Sequence, residues 1–222
     1  MIIVSCVWVG DKYGVEYVTR LRGMVARHLR VAHRFVCYTD RIIDCAAAGV
    51  DYVNVARIGR PWPGWWSKMA LFQTFARAGQ KMIYFDLDTI IIDDITPLAD
   101  IAVTFGVCEN FSKLAGANFG ACNYGSCCMV MASDFGTDVF NTFKDNVTHY
   151  MDGANSRYGD QWVVEQLAPD ATLLQDVMPP GFFIGYRDIG PTKPKTASVV
   201  VFAGSQKPSN CPYDWAIKEW VE

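Results

Sequence analysis

The apolar positions of this chain change period several times. Residues 2–9 are apolar apart from Ser5 and read as a buried strand. Between 14 and 29, Tyr17, Val18, Leu21, Met24, Val25, His28 and Leu29 recur at three- and four-residue spacing, one stripe of a helix. A second strand is predicted at 34–38, a short Ala-rich helix at 42–48 stopped by Gly49, and a third strand at 50–55. A loop rich in Pro, Gly and Trp spans 59–66. Ser67 is placed to cap a helix running to 78, and Gly79 to end it. Residues 81–87 read as a fourth strand. The pattern then loosens, with strands at 103–108, 127–131 and 199–202 and helices at 134–151, 161–167 and 215–221.

Strands that alternate with helices through short connections predict an α/β fold, a mostly parallel sheet flanked by helices on both faces. No repeat, low-complexity tract or linker interrupts the chain, so 1–222 reads as a single domain. Composition supports a folded protein: 51% of residues are apolar and only 19% charged. Lys and Arg (20) are outnumbered by Asp and Glu (23), a net charge of -3 that disfavours nucleic acid as a partner. The apolar start lacks the basic flank of a signal peptide, and no run approaches the ~20 residues of a membrane span, so no integral membrane segment is expected. The eight cysteines form no C-x-x-C pair and several sit inside apolar runs. They read as buried free thiols, which suits a cytoplasmic protein.

The sharpest chemical feature is Asp86-Leu87-Asp88 at the end of the fourth strand. Strand alternation points both carboxylates the same way and Leu87 into the packing. Neighbouring carboxylates repel, and a divalent cation between them relieves this; hard oxygen ligands suit Mn²⁺ or Mg²⁺. Ligands of open α/β sheets bind at the carboxyl ends of strands, where this pair falls. Two chemistries use such a pair. A sugar transferase holds a metal against the diphosphate of its donor. A haloacid-dehalogenase-like phosphatase uses the first Asp as nucleophile and the second as general acid. The phosphatase signature opens its domain and carries a Gly before its Thr, whereas here more than eighty residues precede Asp86 and Thr89 follows Asp88 directly.

Five segments together resemble the GT-A glycosyltransferases, and within them the glycogenin-like family 8. They are Val7-Trp8-Val9-Gly10-Asp11-Lys12-Tyr13, the run from Trp65 to Phe72 containing Lys68, the run 84–98 around Asp86 and Asp88, Gly159-Asp160-Gln161, and V-V-V-F-A-G-S-Q-K-P at 199–208. The resemblance implies a Rossmann-like nucleotide-diphospho-sugar transferase fold. Residues 1–100 would be a nucleotide-binding half ending in the D-x-D motif, and 101–222 an acceptor-side half. It implies transfer of a hexose from a UDP-sugar to a glycan, protein or small-molecule acceptor, with retention of configuration.

The implied roles follow residue by residue. Val7, Trp8 and Leu87 would line the nucleotide, and Tyr13 would stack on uracil. Lys68 would contact the nucleotide sugar. Asp86 and Asp88 would bind the metal and diphosphate, with Mn²⁺ or Mg²⁺ as cofactor. Asp160 would face the transferred sugar, as covalent nucleophile or as bystander to same-face attack. Gly204 would let the backbone approach the phosphates, and Lys207 would neutralise the leaving diphosphate.

Two positions depart from the family pattern. Val201 or Ala203 stands where a His would be the third metal ligand, and Gly125 stands where an Asn precedes Ser126. The missing His keeps a non-catalytic sugar-nucleotide-binding module open beside the transferase and the phosphatase. Acceptor contacts are expected at Trp62, Asn118 and Gln161, while Trp65 and Trp66 read as an apolar plug.

Overall fold

Strand β1 (Ile2–Trp8) leads into helix α1 (Val15–His28), and the exchange repeats through β2 (His33–Thr39), α2 (Ile42–Ala47) and β3 (Asp51–Asn54). A 3₁₀ segment, Gly64–Phe72, precedes β4 (Lys81–Phe85), β5 (Thr89–Ile91), α3 (Thr96–Asp100), β6 (Phe105–Glu109) and β7 (Tyr124–Ala132). Helices α4 (Thr137–Asp145), α5 (Val147–Asp152) and α6 (Gly159–Leu167) follow. The chain then runs through β8 (Thr172–Leu173), α7 (Leu174–Val177), β9 (Phe183–Gly185), β10 (Val199–Val201) and α8 (Asp214–Glu219). This computed structural model describes residues 1–59, 62–73, 79–111, 122–153 and 156–222.

Among the described residues the main sheet has the order β3-β2-β1-β4-β7-β6-β8. The first four of these strands are parallel, β7 runs antiparallel to both β4 and β6, and β8 is parallel to β6. The expected mostly parallel α/β sheet is therefore present, with one reversed strand near its middle. A small second sheet, β5-β10-β9, pairs Thr89 with Val201 and Ile91 with Val199.

Period-two alternation creates two dry faces. Val4, Cys6 and Trp8 of β1, Ile83 and Phe85 of β4, and Cys128 and Val130 of β7 enter one core with α1 and the small sheet. Met82 and Tyr84 of β4 and Met129 and Met131 of β7 enter a second core with the 3₁₀ segment, α4 and α6. A strand buried on both faces is apolar throughout, which is why β1, β4 and β7 carry few polar residues. All eight cysteines are buried and unbridged, as expected. Among the described residues no helix is long and apolar enough to cross a membrane.

Three predicted elements differ. The helix expected over 134–151 is two helices: Asn146 (φ -127°, ψ 29°) leaves the helical region between α4 and α5. Ser67 caps nothing; it lies inside the 3₁₀ segment and donates from Oγ to Gly64 O at 2.6 Å. Residues 74–78 of that expected helix lie outside the described residues. The fourth strand stops at Phe85 rather than 87, because Thr89 N donates to Asp86 O at 3.2 Å and closes a turn.

Candidate active site

The turn after β4 settles how the acidic pair is presented. Asp86 continues the face of Met82 and Tyr84, and Tyr84 Oη donates to Asp86 Oδ1 at 2.5 Å. Leu87 is buried, 4% exposed, in the opposite core. The turn then brings Asp88 round to the same cavity, so Asp86 reaches it by strand alternation and Asp88 by the bend.

Each carboxylate meets its own lysine. Lys68 Nζ lies 2.9 Å from Asp86 Oδ1 and 3.2 Å from Oδ2, donates to Ser126 Oγ at 3.1 Å, and is 3.4 Å from Asp160 Oδ2. Burial opposes the Lys68 charge, but Asp160 and Asp86 outweigh it and hold its pKa above the ordinary lysine value. Asp160 sits in the first turn of α6, 4% exposed, and its Oδ2 makes no hydrogen bond. Burial pushes its pKa up, and Lys68 and Ser126 only partly offset this. On the other carboxylate, Asp88 Oδ2 accepts from Lys207 Nζ at 2.5 Å and from Tyr13 Oη at 3.0 Å. Burial and then Asp88 drive the Tyr13 phenol far above its usual range.

These side chains line one cavity of about 620 Å³, within the usual range for a small-molecule site. It gathers segments that are remote in sequence: Tyr13 after β1, Lys68, the acidic pair, Asp160 with Gln161, and Gly204 with Lys207. Val7 and Leu87 also line it. Gly204 has φ +66° and open space where a Cβ would stand, so its backbone can be approached closely.

Two expected contacts lie elsewhere. Trp8 is 2% exposed and is not part of the lining; its indole Nε1 donates to Tyr13 O at 2.8 Å and so holds the loop that carries Tyr13. Trp62 is 7% exposed and packs edge-on to Phe140 and Phe143, with ring centres 6.1 and 5.0 Å away. Trp66 stacks on Phe143 as a plug, but Trp65 is 52% exposed and lines the cavity. The loop therefore turns out the tryptophan that was expected inside. Asn118 lies outside the described residues.

The sequence reading gave no role to Lys12, Tyr84 and Ser126, all of which line the cavity. Tyr84 was within reach of it, since it stands two residues before Asp86 on a strand. Gly125 also has a reason: a Cβ there would meet Glu109 O at 2.8 Å, where the β6–β7 register shifts, so no Asn fits.

The acidic pair does not make a complete seat for Mn²⁺ or Mg²⁺. Among the described residues no three His, Cys, Asp or Glu side chains come together, and segments 60–61, 74–78, 112–121 and 154–155 contain none of these residue types. Val201 and Ala203 line the cavity but offer no ligand atom, and each Asp already faces an ammonium group. With each Asp paired to a lysine, these residues alone do not hold a divalent ion; its remaining ligands would have to come from substrate phosphates. The phosphatase reading loses its footing too, because Thr89 is 1% exposed and starts buried strand β5.

Comparison with solved structures decides the architecture. The galactosyltransferase LgtC, solved with donor and acceptor sugar analogues, superposes with a TM-score of 0.67 over 98% of this chain and 93% of its own, at 17% identity. The chain has the GT-A glycosyltransferase fold. Other GT-A structures agree. GlyE of Streptococcus pneumoniae gives a TM-score of 0.65 at 13% identity, covering 97% of this chain and 61% of its own. The bifunctional glycosyltransferase WbbM gives 0.63 at 15% identity, covering 99% of this chain and 49% of its own. No family model and no curated protein matches the sequence.

Proposed function

We propose that this GT-A protein transfers a hexose from a UDP-sugar to an acceptor hydroxyl, with retention of configuration. The observation that carries the reading is the meeting of Tyr13, Asp88 and Lys207 on one carboxylate oxygen. That convergence supports reading the three segments, separate in sequence, as one donor site.

The chain's own groups have distinct tasks. Tyr13 offers a half-buried ring face to the base. The Gly204 backbone and Lys207 meet the diphosphate. The unbonded Oδ2 of Asp160 accepts a hydroxyl of the donor sugar, which gives a buried acceptor its missing partner. Lys68 fixes Asp86 and Asp160 so that neither moves when the sugar arrives. Trp65 and Gln161 form the acceptor side.

In the transfer, the bond from sugar C1 to the β-phosphate oxygen breaks and its electron pair stays on that oxygen. The acceptor oxygen bonds to C1 from the same face and its proton passes to the departing diphosphate. Catalysis then means stabilising charge on UDP, and Lys207 is the cation placed for it.

A thermal-shift panel of UDP, GDP, UDP-glucose, UDP-galactose and UDP-N-acetylglucosamine tests the reading. UDP and at least one UDP-sugar should raise Tm by about 5 °C or more near saturation. A panel in which no nucleotide moves Tm would sink it.

A further inference from the structure

The cavity lysines are not equivalent. An ammonium has three donors. Lys68 directs its own inward, to Asp86, to Ser126 and towards Asp160. Lys207 makes one hydrogen bond from Nζ, to Asp88, and keeps donors in reserve. Lys12, exposed at the rim, makes no ion pair or hydrogen bond among the described residues. Its Nζ lies 5.0 Å from the centre of the Tyr13 ring, and Lys207 Nζ lies 5.8 Å from the same centre.

Two ammonium groups are thus gathered on one ring at the cavity wall with donors to spare, and Asp88 hydrogen-bonds only to Lys207 of the two. Partial burial and then the Lys207 charge lower the Lys12 pKa, and Asp88 and Asp86 offset this only in part. A bound anion relieves that repulsion. Among the described residues no third His, Cys, Asp or Glu joins Asp86 and Asp88, each of which is already paired with a lysine, and the undescribed segments contain none of these four residue types.

We infer that Lys12 and Lys207 form a two-cation clamp for the donor diphosphate, and that this chain binds the diphosphate without a divalent metal ion. The inference rests on the sugar-nucleotide reading above. Asp88 then acts as a positioning residue: it aims Lys207 and anchors the Tyr13 ring on which both lysines converge. The acidic pair keeps its place in the fold but works through lysines.

UDP is the probe, titrated calorimetrically into the whole chain in EDTA and again in Mn²⁺. The Kd in the two buffers should agree within about twofold. Lys12→Ala removes an exposed side chain, so Tm should hold while UDP binding in EDTA weakens about tenfold. Lys207→Met should weaken it at least as much. UDP binding that appears only with Mn²⁺ overturns the clamp and leaves the sugar-nucleotide reading standing, as does an unchanged Kd in Lys12→Ala. Failure of every nucleotide to bind in either buffer overturns both.

Discussion

Lys68 Nζ stands 3.4 Å from Asp160 Oδ2, yet that oxygen makes no hydrogen bond. The pair is close enough for attraction and too poorly aligned for full compensation, so Asp160 keeps a net cost of burial. Its pKa is accordingly raised, chiefly by desolvation. The folded state therefore holds the Asp160 proton more tightly than the unfolded chain does. Stability falls as pH rises from the unfolded carboxylate value, about 3.9, through the higher folded value, and the penalty is complete above it.

Asp160→Asn removes that penalty. We expect Tm at neutral pH to rise above wild type, with the difference shrinking as the buffer is acidified. Sugar transfer should be lost in the same variant. Thermal melts over a pH series, run beside a turnover assay, check both halves; a variant less stable than wild type at neutral pH contradicts the assignment.

Lys68→Met has the opposite sign. It leaves Asp86 and Asp160 in a cavity wall without their shared cation, and breaking a buried pair in this way costs about 3 kcal/mol or more. Chemical denaturation should register that loss as a lower midpoint at unchanged slope. A midpoint equal to wild type would mean that the two carboxylates are solvated rather than buried.

The two tryptophans of the 59–66 loop should separate cleanly. Trp62→Ala opens a hole against Phe140 and Phe143 and should cost about 3–5 kcal/mol while leaving substrate constants alone. Trp65→Ala should leave stability nearly unchanged and raise the acceptor KM about fivefold. The reverse result would restore Trp62 as the acceptor residue.

Gly159 packs against Trp65 at the same corner. Its φ is +67°, and a Cβ would stand 2.8 Å from Trp65 Nε1. Gly159→Ala combines left-handed backbone strain with displacement of the indole, at about 1–2 kcal/mol. Acceptor KM should rise in this variant as it does in Trp65→Ala, and a normal KM would show that Trp65 has no part in acceptor binding.

Much of this was legible in the sequence. The β1-to-β4 half followed from clear periodicity, and Asp86 and Asp88 announced themselves by residue type at a strand end. Lys68, Asp160 and Lys207 were placed only by resemblance, since a lone lysine or aspartate carries no periodic signal. Strand β9 escaped notice because three residues set no period. The break at Asn146 escaped because the apolar spacing of α4 runs on across it. Trp62 and Trp65 were exchanged because they share one loop and one composition; which of them turns inward depends on Phe140 and Phe143, contributed by a helix more than seventy residues later. Lys12 was hidden by its neighbour Tyr13, and only the Lys207 side chain arriving at the same ring gives it meaning.

The central claim, hexose transfer from a UDP-sugar in this cavity, is tested most directly by release of UDP from UDP-glucose and UDP-galactose, with wild type and Lys207→Met assayed side by side. Wild type should release UDP from at least one donor, and Lys207→Met should lose about a hundredfold or more of that rate. Equal UDP release by the two proteins, or none by a wild-type chain that binds the donor, would contradict the account.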